Sequence, residues 1–297
     1  MRNNAFVAAV LCPVFLFLFV FSILPVFLGL AISLFDYRML AKDHAFVGLD
    51  NILKLFSDKT FITALKNTAI FVLATVSLNI AITLFLAQAV CSMKRARMRA
   101  FMRVVFFMPC VAPLVASSVV WNGMYNFEYG LVNNLLKQLF NIPPHNWLGT
   151  AATVMPAIIV FTLWADIGYN IIILSAGIDG IPSDIFESAA IDGANPVRRF
   201  FGVTLPMLGQ TLSFVVAMTL ISHFHMFAQF LVLNRAAGPV SGGPDNAGMV
   251  LTLYLYKTAF TGSKDMGYGS AVALALFALI MAVTALQRRL GRVDWGY

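Results

Sequence analysis

Within a long apolar run stands Trp164-Ala-Asp166-Ile-Gly168-Tyr169-Asn170, which sets a carboxylate, a phenol, an amide and an indole within less than two helical turns. An ionisable group near the middle of a bilayer costs roughly 2.5–3.5 kcal/mol on insertion scales, so such a group tends to face a cavity or a partner. The mixture suits a polyol: carboxylates and amides take hydroxyls bidentately, while aromatic faces stack on the C–H face of a sugar ring. The same residues can also join helices by hydrogen bonds, and their types leave both roles open. Asn122, Gln229, Asn234, Asn79 and Gln88 form a wider pool of polar groups in apolar runs. Asn79 and Gln88 are nine apart and share no face cleanly, which puts the weight on the runs holding Asp166 and Gln229.

Other chemistry is missing. The chain has no G-x-x-x-x-G-K-S/T phosphate loop; Gly262-Ser263-Lys264 lacks the upstream glycine spacing. Neither H-E-x-x-H nor G-x-S-x-G occurs, so no catalytic residues and no metal site are expected. His223 and His225 lie two apart, on different faces of a helix, and are read as hydrogen-bonded bundle histidines. Cys12, Cys91 and Cys110 form no disulfide framework or metal spacing and are expected to pack in a core.

The elements that must position these groups follow from composition. With 60% hydrophobic and 11% charged residues, and a mean hydropathy of +0.84, the chain belongs mostly in lipid. Runs long enough to cross about 30 Å of hydrocarbon fall at 9–34, 68–90, 104–123, 154–177, 212–233 and 269–287. The expected fold is an all-α membrane domain of about six helices filling residues 1–297. The first run contains Pro13 and Pro25 with no small-residue cleavage site after it, and reads as an uncleaved, kinked helix. Lys94, Arg95, Arg97, Arg99 and Arg103 crowd the turn after the second run, whereas Lys137 stands alone between the third and fourth. The positive-inside rule therefore places both termini in the cytoplasm, in line with Arg288, Arg289 and Arg292 after the last run. The 36–66 loop nearly cancels its own charge and does not change this orientation. The net charge of +7 fits contact with anionic lipid, and no array of aromatic and basic residues points to nucleic acid.

The same orientation puts the polar stretch 183–206 inside. It reads as two short helices at an elbow. Ser183 or Asp184 can cap the first, with Asp184 and Glu187 spaced as a capping box, and Gly193 can end it. Asn195 caps the second, Pro196 takes its first helical position, and Pro206 marks its far end.

These residues resemble the inner-membrane permeases of binding-protein-dependent ABC importers, in the carbohydrate-uptake branch that includes maltose and glycerol-phosphate systems. The hallmark of that family, E-A-A-x-x-D-G-A followed by a phenylalanine and then L-P, stands here as Glu187-Ser188-Ala189-Ala190, Asp192-Gly193-Ala194, Phe200 and Leu205-Pro206, departing only at Ser188. Phe46-Val-Gly-Leu-Asp-Asn51, Phe107-Met-Pro109, Gly242-Gly-Pro244 and Gly267-Tyr-Gly-Ser-Ala271 extend the likeness along nearly the whole chain. The segment from Asn234 to Ser241 is longer than the family's usual turn before Gly-Gly-Pro.

The resemblance implies a type I ABC importer permease fold in which the 183–206 loop carries a coupling helix seated in a separate ATP-binding subunit. Glu187, Ala189, Ala190, Asp192, Gly193 and Ala194 would form that contact, while Phe200, Leu205 and Pro206 would pack the elbow onto the helix ends. Arg198 and Arg199 would hold lipid or the ATPase. No cofactor is expected in this chain; ATP and Mg2+ would sit on two partner ATPase subunits. A second, homologous and non-identical permease, an extracytoplasmic solute-binding protein and a carbohydrate complete the implied system in a bacterial inner membrane. Trp164, Asp166, Tyr169, Asn170, Gln229 and Asn122 are the candidates for the substrate pathway. The alternative is a secondary transporter or channel, with Asp166 carrying a coupling ion and the 183–206 loop acting as a gate.

Overall fold

The computed structural model describes residues 2–238, 240–262 and 264–290; Pro239, Ser263 and Arg292, drawn on above, lie outside them. The chain opens with α1 (Arg2–Leu18) and α2 (Leu24–Ser33), joined by a π turn over Phe19–Ile23. A two-stranded antiparallel ladder, β1 (Phe35–Asp36) with β2 (Ala45–Phe46), then precedes α3 (Asp50–Leu55) and the long α4 (Lys59–Cys91). Next come α5 (Ala96–Val111), α6 (Leu114–Met124), α7 (Leu131–Phe140) and α8 (Ala151–Asp179). The elbow holds α9 (Ser183–Ile191), α10 (Pro196–Arg199), a π turn over Phe200–Thr204, and α11 (Leu205–Met207). After it stand α12 (Gly209–Phe224), α13 (Ala228–Leu233), α14 (Leu251–Phe260) and α15 (Met266–Leu290).

By length and apolarity four helical segments can cross a membrane, or up to six if each of two bent pairs counts as one span. Two of the expected straight runs are broken. Residues 104–123 divide between α5 and α6 at a bend of 93°. There Ala112 is extended (φ −70°, ψ 138°), because the ring of Pro113 disfavours the α region for the residue before it. The run at 212–233 ends α12 at Phe224 and resumes as α13, with Phe227 out of helical geometry (φ −137°). A second bent pair, of 72°, joins the 196–207 segment to α12. The amphipathic helix α7 was not expected; its Asn133 accepts the Trp147 indole N–H at 2.8 Å and so anchors the loop before α8.

Two compact units divide the chain: residues 1–62 with 251–278, and 63–250 with 279–297. In the first, the Asp58 carboxylate caps α4 by accepting the amides of Thr60 (2.8 Å) and Phe61 (3.2 Å). Its other oxygen accepts the hydroxyls of Tyr254 and Tyr268, tying α14 and α15 to the start of α4. Burial alone would raise this carboxyl, but the two hydroxyls and two amides outweigh it and hold Asp58 below its ordinary value. In the second unit Ala87, Leu174, Ile178, Leu208 and Val215 form a buried apolar cluster joining α4, α8 and α12. Leu208, at the 72° bend, is 1% exposed, so the core itself pins the bend.

Of the cysteines expected to pack in a core, Cys91 is half-buried against the cluster of Ala87, Leu174 and Leu208, Cys110 is half-buried, and Cys12 departs from the expectation by lying exposed on α1.

Candidate functional site: a polar pocket above an exposed elbow

The second unit holds a cavity of about 320 Å³ walled by α5, α8 and α12. Asp166, Tyr169 and Asn170 stand at i, i+3 and i+4 on α8, one face of a 3.6-residue helix, and all three line it. Met218, Thr219, Ser222 and His223 line it from α12, and Cys110 from α5.

Asn170 is the joint of the pocket. Its amide donates to Asn79 Oδ1 at 2.7 Å and to Thr219 Oγ1 at 3.0 Å, so α4, α8 and α12 meet on one side chain. Both donors are spent on neighbours, which makes Asn170 wall and glue at once. His223 is 3% exposed, and its Nδ1 lies 2.7 Å from the Thr219 carbonyl. A carbonyl can only accept, so Nδ1 carries the proton and Nε2 of the neutral ring is an acceptor. That Nε2 makes no hydrogen bond and stands 3.8 Å from Asp166 Oδ2. Two acceptors side by side on a pocket wall match a pair of neighbouring hydroxyl donors.

The other pathway candidates lie apart. Trp164 is two residues from Asp166, about 200° around the helix at 3.6 residues per turn, and faces elsewhere. Its ring lies 5.3 Å from that of Trp121, tilted by 52°, where both line a separate, largely apolar cavity of about 380 Å³ bounded by Pro113 and Met124. Gln229 is fully buried on α13, and its amide makes no hydrogen bond within the protein. Asn122 sits half-buried on α6 and lines neither cavity. Met218, Thr219 and Ser222 are the lining residues that sequence reasoning missed; Asn79 stood only in the wider polar pool, and His223, read as a hydrogen-bonded bundle histidine, does bond the Thr219 carbonyl but also faces the pocket. The signal for His223 was its spacing of four from Thr219 and one from Ser222, which marks a polar stripe on α12.

The elbow is a built element. After α9 the chain closes a Schellman motif: Ala194 N–H donates to Ala189 O at 3.0 Å and Gly193 N–H to Ala190 O at 3.1 Å. Gly193 holds φ +75°, the left-handed conformation that this motif demands. Asn195 Oδ1 accepts the Arg198 amide at 2.8 Å, with Pro196 at the start of α10. The expected capping box does not form. Pro182 is the N-cap and Ser183 is already helical, so neither Ser183 nor Asp184 caps; the Ser183 hydroxyl instead meets Asp184 Oδ1 at 3.3 Å. Nor does Pro206 end the second helix. A π turn, with Leu205 N–H on Phe200 O, widens the backbone ahead of it, and helix continues to Met207. Pro206 is exposed, whereas Phe200 and Leu205 are half-buried.

Glu187, Ala190, Asp192 and Gly193 are exposed, and Ala189 and Ala194 half-buried. Beside them the apolar Ile191, Val197 and Phe201 are exposed by 87%, 65% and 63%. Among the described residues no group of three His, Cys, Asp or Glu side chains is placed to hold a metal.

Residues 79–292, which include both the pocket and the elbow, match the family model of the binding-protein-dependent transport system inner membrane component. The chain belongs to that family. As a permease it is similar over its whole length to curated relatives. It is 32% identical to the trehalose/maltose transport system permease protein MalF of Thermococcus litoralis, over 94% of this chain and 91% of that one. It is 29% identical to the diacetylchitobiose uptake system permease protein NgcF of Streptomyces coelicolor, over 99% and 84%. Among solved structures, a chain of the bacterial alginate ABC transporter, in complex with an alginate pentasaccharide-bound periplasmic protein, superposes with a TM-score of 0.84 at 19% identity, covering 98% of this permease and 95% of that chain. The permease thus has the type I ABC importer fold and is a multi-pass membrane transport component.

Proposed function

We propose that this permease carries a carbohydrate, as one half of the translocation pathway of an ATP-driven importer, and that the α8–α12 pocket is a station on that pathway. One observation carries the reading: a pocket of carboxylate, phenol, amide, hydroxyl and imidazole groups has one wall, α8, that leads into the exposed 183–206 elbow and another, α12, that leaves it through the 72° bend. The names of the relatives, which speak of trehalose, maltose and diacetylchitobiose, support a sugar or oligosaccharide. Asp166, His223, Tyr169 and Ser222 take the hydroxyls, and Asn170 keeps the walls in register.

Energy arrives from other chains. ATP and Mg2+ belong to two ATPase subunits, one of which receives α9 with Glu187, Ala190 and Gly193 against it, while Ala189, Asp192 and Ala194 shape the turn behind. A second, homologous permease completes the pore, a solute-binding protein delivers the sugar from outside, and both termini face the cytoplasm. In the fully assembled transporter, Asp166→Asn should lower uptake roughly tenfold, the effect of about 1.4 kcal/mol lost at the site, while ATPase docking stays normal. Ala190→Arg, at an exposed position that leaves the fold intact, should abolish docking. Normal uptake in Ala190→Arg would refute the contact at α9, and uptake that survives vanadate but fails with an uncoupler would refute the ATP drive.

A further inference from the structure

Asp179 is the last residue of α8, four positions before the start of the elbow helix α9. Its two carboxylate oxygens are held by two different arginines of α5: Arg99 Nη1 donates to Oδ1 at 3.0 Å and Arg103 Nη2 to Oδ2 at 2.6 Å. Arg99 and Arg103 are four apart and so share one face of their helix. Arg99 does more than pair a charge. Its Nη2 donates to the carbonyl of Cys91 at 2.8 Å, the last residue of α4, whose terminal carbonyls have no partner within their own helix. One guanidinium thus spans the ends of α4 and α8, where both helix dipoles present their negative poles.

A second contact fixes the same two helices higher up. Gly168 of α8 lies so close to α5 that a Cβ there would fall 2.0 Å from the Phe106 carbonyl oxygen. Gly168 and Asp179 are eleven residues apart, roughly 16 Å at 1.5 Å per residue, so α5 and α8 are joined at two separated points and must move as one body. That body bears the pocket wall of Cys110, Asp166, Tyr169 and Asn170. The facing wall on α12 reaches the elbow only through the 72° bend at Leu208.

We infer that Arg99, Arg103 and Asp179 are positioning residues for transport. They form a charge clamp that turns displacement of the elbow into displacement of the α5–α8 wall as one body, and of the pocket with it. This rests on the reading of the elbow as the element that meets the ATPase. The test uses the assembled transporter in proteoliposomes, with uptake and ATP hydrolysis measured together and docking followed by co-purification of the ATPase subunits. Asp179→Asn should dock normally yet raise the ATP spent per molecule imported by roughly 2- to 30-fold, the range seen for substitutions along a two-state coupling element. Asp179→Glu, which keeps the charge, should restore most of the coupling, which a merely structural role would not require. If Asp179→Asn fails to assemble, Arg103→Gln, which leaves the Arg99 bonds in place, takes its role. A wild-type ratio in the assembled variant overturns the clamp. If Ala190→Arg abolishes docking while that ratio stays normal, only the clamp falls; if Ala190→Arg transports normally, the elbow reading falls with it.

Discussion

Gly168→Ala is the sharpest test of the packing that shapes the pocket. In a helix interior, alanine is ordinarily the better residue by about 1 kcal/mol, because glycine loses more backbone freedom on folding. At Gly168 the new methyl would sit 2.0 Å from Phe106 O, 2.7 Å from its carbonyl carbon and 2.9 Å from Phe107 Cα, all backbone atoms that no rotamer change can move aside. A relaxed C···O contact is about 3.3 Å, so α5 and α8 must part by more than about 1 Å, and overpacking of this kind costs about 1–3 kcal/mol. Gly123 on α6 provides the control, since a Cβ there meets nothing within 4 Å. Thermal unfolding of the detergent-solubilised permease should place Gly168→Ala below wild type by on the order of 5 °C, and Gly123→Ala level with wild type or above it. Uptake should fall in the first, because Asp166 and Tyr169 flank the displaced residue. Equal stability of the two variants would refute the close approach of α5 and α8.

Other consequences are as specific. Asn170→Ala strips Asn79 Oδ1 and Thr219 Oγ1 of their donor and should cost about 1–3 kcal/mol, seen as a lower unfolding midpoint, with Thr219→Val costing less because Asn79 keeps its bond. Asn195→Ala removes the cap of α10 and should cost about 1 kcal/mol locally, read as faster hydrogen exchange at the Arg198 amide. The Asp58 carboxyl is held below its ordinary 3.8, so it contributes stability above the unfolded value that is lost as pH falls through the folded one. Wild type should therefore lose stability below about pH 4 more steeply than Asp58→Asn, which lacks this titration; parallel acid melts would expose the idea as wrong.

Local rules carried much of this molecule. Gly193, Asn195 and Pro196 announced the elbow because Schellman closure, N-capping and the first-turn proline each act within a few residues. Apolar length announced the membrane segments, and the i, i+3, i+4 spacing of Asp166, Tyr169 and Asn170 announced a polar face. What lay beyond that reach concerned partners distant in the chain. Asn79 is separated from Asn170 by 91 positions, and Asp179 from Arg99 by 80, so no periodicity along one helix could pair them. His223 looked like a bland bundle histidine until α8 placed Asp166 against its free nitrogen. Pro113 is the local cause of the broken third run, which length and apolarity alone made look straight. The sequence alone determined an apolar, membrane-length helical chain interrupted by a capped elbow, because hydrophobic length and capping are local properties of the chain. Only the tertiary structure decided which polar groups share a pocket and which charges lock its wall to the elbow, because those pairings exist only once separate helices are packed together.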